Sequence, residues 1–117
     1  LGSSTWGAGE LQDDWYDGIK ILKKCDLSHK YVALFGCGDS DSYSDTFCDA
    51  IGIIYEDLKD AHCKFCGAVD TAGYTFDSSI AVVDGKFIGL PIDEVNEDNQ
   101  TEERISAWAE QVKQEIS

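Results

Sequence analysis

The sequence lacks methionine and is poor in positive charge, with 9 lysine and arginine residues against 23 aspartate and glutamate residues. The resulting net charge of −14 repels nucleic-acid phosphates, so we exclude a nucleic-acid partner. The acidic residues occur throughout the chain, which aids solubility and also suits docking to a basic face of another protein. Because the chain opens at Leu1-Gly2-Ser3-Ser4, with neither an initiator methionine nor a plausible first element, we expect it to be part of a longer chain.

Long apolar runs are also missing, and none approaches the roughly 20 residues needed to span a membrane. The sequence shows no secretory leader, which predicts a cytoplasmic protein without a membrane partner. Its five cysteines are odd in number and irregular in spacing, a pattern typical of free thiols in a reducing compartment. With 117 residues, the chain predicts a single domain over residues 1–117, truncated at its N-terminus.

Apolar residues recur at helical spacing in three stretches, which predict helices over residues 10–24, 47–61 and 101–116. Ser44 or Asp45 is placed to cap the second helix.

Residues 31–35 form a continuous apolar run, which predicts a buried strand. Further strands are predicted at residues 1–2, 64–69, 80–83 and 86–92. The last two form a hairpin, because Asp84-Gly85 suits a two-residue type I′ turn. Alternating helices and strands predict an α/β fold with a parallel sheet.

Two loops follow predicted strands, and in a parallel sheet they emerge at the same edge. The first contains Thr5-Trp6-Gly7 and the second runs from Gly38 to Tyr43. Each offers one aromatic side chain and glycines that let the backbone approach a ligand closely. Asp39 is placed to accept a hydrogen bond from a ring N–H, so the pair of loops predicts a site for a flat heteroaromatic ring.

Two motifs resemble the flavodoxin family. Ser4-Thr5-Trp6-Gly7, followed by Phe35-Gly-Cys-Gly-Asp-x-x-x-Tyr-x-x-x-Phe-Cys48, is similar to the family's two isoalloxazine loops. Phe76-x-x-Ser-x-Ala-Val-x-x-Gly-Lys-Phe-x-Gly-Leu90, with Asp93-x-x-Asn96 after it, is similar to the insertion that splits the last strand of long-chain flavodoxins. The resemblance covers the whole chain in order. It implies a three-layer, doubly wound parallel sheet, of order 2-1-3-4-5 in the complete fold.

By that resemblance, the cofactor is non-covalently bound FMN, with Trp6 and Tyr43 beside its ring and Asp39 at its pyrimidine edge. The chain is then a low-potential one-electron carrier that shuttles between semiquinone and hydroquinone, and not an enzyme. The cofactor-binding residues that the resemblance implies are Ser4, Thr5, Trp6, Gly7, Cys37, Gly38, Asp39, Tyr43, Phe47 and Cys48.

The same resemblance implies transient docking to basic faces of flavodoxin or ferredoxin reductases and of low-potential acceptor enzymes. The family's first strands and its phosphate-binding loop, Gly/Ser-x-Thr-Gly-x-Thr, are absent from this sequence. We therefore interpret the chain as the C-terminal portion of a flavodoxin, which needs an N-terminal segment for a complete fold.

Other interpretations stay open for several of these features. The chain could be the FMN domain of an NAD(P)H-dependent quinone or diflavin reductase, or a flavin-free remnant that serves as a binding module. Asp39 could merely cap its loop. Trp15 and Trp108 lie on helical apolar stripes and are predicted to be core residues. Cys63-x-x-Cys66 has the spacing of a redox dithiol or half a zinc site, but without a second Cys/His pair we favour structural thiols.

Overall fold

The computed structural model describes residues 1–6, 9–11 and 14–116, without the side chains of Ser4, Trp6 and Asp14. In chain order its strands and α-helices are β1 (Gly2–Trp6), β2 (Glu10–Leu11), α1 (Asp14–Lys23), β3 (Tyr31–Ala33), β4 (Phe35–Cys37), α2 (Asp49–Leu58), β5 (Lys64–Cys66), β6 (Val69–Asp70), β7 (Val82–Val83), β8 (Lys86–Phe87), β9 (Leu90–Ile92) and α3 (Asp98–Glu115). A short 3₁₀ turn, Lys59–Ala61, follows α2.

The central sheet has the order β2-β1-β4-β9, and a separate pair joins β3 to β5. Strand β4 runs parallel to both β1 and β9, with Phe35 opposite Gly2 on one side and Leu90 on the other. Strands β3 and β5 are also parallel. The α/β fold with a parallel sheet is therefore as the sequence predicts.

The predicted strand 31–35 differs from the structure in two ways. It divides at Leu34 into β3 and β4, because its two halves pair with different strands. Strand β3 pairs with β5, and β4 pairs with β9, which follows the insertion that separates it from β5. It is also not buried throughout, since Tyr31 is 50% exposed and Phe35 is 42% exposed, while Leu34 is fully buried.

The first predicted loop and helix also have different bounds. Residues 3–6, predicted as loop, extend β1 to Trp6 because Gly2–Ser4 pair in register with Phe35–Cys37 of β4. Residues 10 and 11, predicted as helical, form β2, which pairs antiparallel with the end of β1. Helix α1 then begins at Asp14.

Helix α2 begins at Asp49 and not at Phe47, because Cys48 adopts a left-handed conformation with φ of 54°. Neither Ser44 nor Asp45 caps it. Instead the Ala50 N–H donates to Thr5 Oγ1 at 3.1 Å, so the end of β1 supplies the capping oxygen. This contact joins the end of β1 to the start of α2.

The predicted hairpin turn is confirmed, since Asp84 and Gly85 have φ of 53° and 81°, as a type I′ turn requires. The predicted strand 86–92 nevertheless divides. Its first part, β8, lies between β6 and β7 in a small antiparallel sheet, and its second part, β9, joins the central sheet.

The core lies between the central sheet, α2 and the small antiparallel sheet. Ile51, Ile54 and Leu58 of α2 are fully buried, whereas α3 has no buried residue. Trp15 and Trp108, predicted as core, are both partly buried, and Trp15 packs against the core cluster. Each indole N–H donates to a backbone carbonyl, that of Gly2 for Trp15 and that of Gly67 for Trp108. Among the described residues, no helix is both long and apolar enough to cross a membrane.

Candidate functional site

A cleft of about 220 Å³ opens where β1 and β4 end. The strands are parallel, so their carboxyl ends lie at the same edge of the sheet. The residues that line the cleft are Thr5, Cys37, Gly38, Asp39, Tyr43, Thr46, Cys48 and Val95. The structure thus brings six of the ten predicted cofactor-binding residues to one cavity.

The other four predicted residues lie elsewhere or are only partly described. Ser4 and Trp6 belong to β1, but their side chains are not described, and Gly7 lies outside the described residues. Phe47 is fully buried behind the cleft, and its N–H donates to the carbonyl of Ser78 at 3.3 Å. Its side chain is therefore part of the core, and a contact between its backbone and a cofactor stays a prediction.

The second loop is held in shape by Asp39. Its Oδ1 accepts hydrogen bonds from the N–H groups of Asp41 at 3.1 Å and Ser42 at 3.0 Å, and its carbonyl accepts one from the Tyr43 N–H. Hydrogen bonds from Ser42 and from the side chain of Asn96 lower the pKa of the Asp39 carboxyl, so it is ionised at neutral pH. The Tyr43 side chain stands 47% exposed at the cleft.

The floor of the cleft depends on close packing between Gly38 and Cys48. A Cβ at Gly38 would lie 2.8 Å from Cys48 Sγ and 2.9 Å from its backbone nitrogen, so only glycine fits there. Cys48 Sγ donates to the Gly36 carbonyl. Burial raises the pKa of both Cys37 and Cys48, which keeps the thiols protonated at neutral pH. They contribute shape and backbone to the cleft, and not a nucleophile.

Two cleft residues, Thr46 and Val95, do not appear among the sequence-predicted residues. Thr46 Oγ1 is buried and has no hydrogen-bond partner in the described part of the chain. A buried hydroxyl without a partner is costly, and a ligand in the cleft could satisfy it. Val95 comes from the loop before α3, so no local motif links it to the other loops.

The same loop before α3 contains a buried carboxylate, Asp93, which is fully excluded from solvent. Its Oδ2 accepts hydrogen bonds from the backbone and hydroxyl of Ser40, and its Oδ1 accepts one from the Asn96 N–H at 3.0 Å. Burial by itself raises the pKa of Asp93, but the hydrogen bonds from Ser40 and Asn96 outweigh it and lower the pKa below its usual value.

We expect Asp93 to make the protein acid-sensitive. A carboxyl whose pKa is lower in the folded than in the unfolded state contributes stability above its ordinary pKa of 3.8, and this contribution is lost as pH falls through the folded value. Asp93→Asn should lower the unfolding free energy at pH 7 by about 1–3 kcal/mol and flatten its fall below pH ~4. Urea titrations at several pH values, with exposed Asp17→Asn as control, measure both. Equal curves for the two variants would contradict the prediction.

Cys63 and Cys66 serve separate parts of the fold. Cys63 Sγ donates to the Leu58 carbonyl, and Cys66 Sγ donates to the Val32 carbonyl. Burial raises the pKa of both thiols. These contacts favour structural thiols over a redox pair.

Comparison with known proteins identifies the family. The sequence model for flavodoxins matches residues 1–108. Flavodoxin 1 of Azotobacter vinelandii is 44% identical over 118 residues, covering 99% of this chain and 68% of that protein. The chain belongs to the flavodoxin family. The Helicobacter pylori flavodoxin is 50% identical over 113 residues, covering 97% of this chain and 68% of that protein. The chain thus spans about two thirds of the length of these flavodoxins.

A solved structure agrees with this assignment. The crystal structure of Fusobacterium nucleatum flavodoxin bound to flavin mononucleotide has a TM-score of 0.93 and 33% identity, covering 98% of this chain and 69% of that chain. The sequence-based resemblance and the flavodoxin-like fold are therefore confirmed. Because the matching relatives are named flavodoxins, which are electron-transfer proteins and not enzymes, the reductase-domain alternative is not favoured.

Proposed function

We propose that this flavodoxin chain binds FMN in the cleft between β1 and β4 and carries single electrons between redox partners. The observation that supports the site best is the cleft itself. It combines an exposed tyrosine ring, an ionised Asp39 and a Thr46 hydroxyl that has no hydrogen-bond partner among the described residues, all within one cavity at the carboxyl ends of parallel strands. Open α/β sheets hold ligands at this edge. When bound, FMN supplies the one-electron chemistry.

The residues of the cleft have distinct parts in this proposal. The Tyr43 ring packs against one face of the flavin and excludes water from it. The Asp39 carboxylate places a negative charge beside the ring, which disfavours further negative charge on the flavin and lowers its potential. Thr46 Oγ1 offers a hydrogen bond to a polar edge of the flavin. The motif Ser4-Thr5-Trp6-Gly7 supports a second aromatic neighbour for the ring, which we assign to Trp6 from the sequence.

The acidic surface around the cleft supports a proposal about partners. As a flavodoxin, the chain interacts with redox partners. The exposed carboxylates Asp41, Asp45 and Glu94 follow the strands at the cleft edge and favour transient docking to basic faces. We propose that the proteins that carry these basic faces are flavodoxin or ferredoxin reductases and low-potential acceptor enzymes. The five free cysteines support a cytoplasmic location.

An apolar hollow between the central sheet and α3 supports the proposal that the complete fold needs an N-terminal segment. It measures about 250 Å³ and is lined by Phe35, Leu90, Ile92, Ile105 and Trp108. Because the chain spans about two thirds of its relatives and lacks the phosphate-binding motif, we propose that an N-terminal segment covers this hollow and holds the FMN phosphate. Residues 1–117 are then one partial domain.

The proposal is tested by titrating FMN into the chain and following flavin fluorescence. The titration is repeated after adding the N-terminal third of the Helicobacter pylori relative as a separate polypeptide. Quenching by the chain alone would show that the two loops suffice for binding, whereas quenching only with the added segment would support its proposed role. No quenching under either condition would overturn FMN binding by this chain.

Replacing Tyr43 is expected to weaken FMN binding. Stacking of an aromatic side chain on a flat heterocycle contributes about 1–3 kcal/mol, so Tyr43→Ala should raise the dissociation constant roughly 5- to 160-fold. Tyr16→Ala is a matched control, because both tyrosines are 47% exposed and Tyr16 lies on α1, away from the cleft. If the two variants bound FMN with equal affinity, the flavin ring would not stack on Tyr43.

A further inference from the structure

A hydrogen-bonded chain of three side chains joins the cleft loop to the loop before α3. Asn96 Nδ2 donates to Asp39 Oδ1 at 2.7 Å and lies within hydrogen-bond distance of both carboxylate oxygens of Asp93, at 3.1 and 3.2 Å. Asp93 in turn accepts two hydrogen bonds from Ser40, the residue next to Asp39. The two loops are therefore held together through an amide that lies between two carboxylates.

Burial makes one end of this series of hydrogen bonds, the Asp93 side chain, rigid. Asp93 is fully excluded from solvent and sits directly after β9, whose Ile92 carbonyl accepts a hydrogen bond from the Gly38 N–H. Asn96 is anchored to Asp93 by its backbone N–H as well as by its side chain. Asp39, at the other end, lines the cleft. The orientation of the Asp39 carboxylate is thus fixed by Asn96, which is not among the residues that line the cleft.

We call the contact from Asp93 through Asn96 to Asp39 the bridge, and its middle side chain must be a hydrogen-bond donor. Two carboxylates close together repel each other, and the amide N–H groups of Asn96 offset this repulsion by donating to both. A carboxylate at position 96 would have nearly the same shape but could not donate in its ionised form.

We propose that Asn96 is a positioning residue for the flavin site: it holds the Asp39 carboxylate in one orientation towards the cleft, and the buried Asp93 holds Asn96. This inference rests on the proposed binding of FMN, and it assigns to Asn96 a role without contact to the cofactor. Through Asp39, the bridge sets the direction of the negative charge beside the flavin and the order of the loop that bears Tyr43.

The test uses Asn96→Ala and Asn96→Asp, with Asn99→Ala and Asn99→Asp as controls for the exposed asparagine three residues later on α3. The first measurement is amide hydrogen exchange at Asp41 and Ser42, whose N–H groups donate to the Asp39 oxygen that Asn96 holds. Exchange at both amides should accelerate about tenfold in each position-96 variant and stay unchanged in the controls. Unchanged exchange would overturn the bridge, whether or not flavin binds.

The second measurement is the dissociation constant for FMN and for lumiflavin, which carries the ring without the phosphate. Both constants should rise about tenfold in the position-96 variants, because the ring side of the site is affected. Asn96→Asp should be at least as damaging as Asn96→Ala if donation matters. A space-filling role would give the opposite order, and affinities equal to those of the position-99 variants would overturn the inference. Failure of the unaltered chain to bind either flavin, both alone and with the added N-terminal segment, would instead refute the proposed function.

Discussion

Phe87→Ala is expected to lower the free energy of unfolding by about 3–5 kcal/mol, the range typical for truncating a buried phenylalanine. Phe87 is fully buried, and its ring lies 5.0 Å from that of Phe76, 5.2 Å from that of Tyr74 and 6.1 Å from that of Phe47. The aromatic cluster of these four residues joins the small antiparallel sheet to the start of α2. The substitution removes a ring from its centre and leaves a cavity that the short strands around it cannot close.

Urea unfolding followed by tryptophan fluorescence measures this loss. Phe87→Leu keeps part of the buried volume and should lose about 1–2 kcal/mol, which gives a measurable variant if the alanine variant does not fold. Ile80→Ala is the control from the same insertion, because its side chain is 53% exposed and its N–H still bonds to Asp49. Equal losses for Ile80→Ala and Phe87→Ala would contradict a central place for the aromatic cluster.

The second large effect is expected at Gly52, in the middle of α2. A Cβ there would lie 2.6 Å from the Ile80 carbonyl oxygen, 2.7 Å from its carbonyl carbon and 2.8 Å from the Ala81 nitrogen. These are backbone atoms and cannot move aside as a flexible side chain can. Gly52→Ala should therefore cost about 1–3 kcal/mol, although alanine favours a helix more than glycine does.

Gly18 provides the matched control, since it also lies inside a helix. Among the described residues, a Cβ there would meet only a Trp15 ring carbon at 3.6 Å, an ordinary contact distance. Gly18→Ala should stabilise the protein by about 0.5–1 kcal/mol through helix propensity alone. Thermal unfolding of the two variants should thus shift the midpoint in opposite directions. A shift of the same sign in both variants would show that the backbone of Ile80 and Ala81 does not pack closely against Gly52.

Much of this fold follows from short-range sequence patterns. Helix α3 and the Asp84-Gly85 turn depend on local rules, namely apolar periodicity in the first case and positive φ in the second. The position of the cleft was also predictable, because strand–loop–helix order places the loop from Gly38 to Tyr43 at the carboxyl edge of a parallel sheet. The family was identifiable from the same residues.

The remaining features depend on contacts between distant parts of the chain. The cap of α2 is an example: Ser44 and Asp45 have the right chemistry and spacing, yet Thr5 supplies the oxygen, because the parallel pairing of β1 with β4 brings it there. The interruption at Leu34 is another, since it follows from the division of the neighbouring strand into β5 and β9.

The sequence by itself therefore determined the class of fold, the edge of the sheet that holds the candidate site, and the family. The tertiary structure alone decided which donors and acceptors meet there. These include the Thr46 hydroxyl, which has no partner in the described part of the chain, and the bridge from Asp93 through Asn96 to Asp39. The physical reason is that backbone periodicity and turn conformation are properties of neighbouring residues. A hydrogen bond across 57 residues, as between Asn96 and Asp39, exists only after the sheet has set both loops side by side.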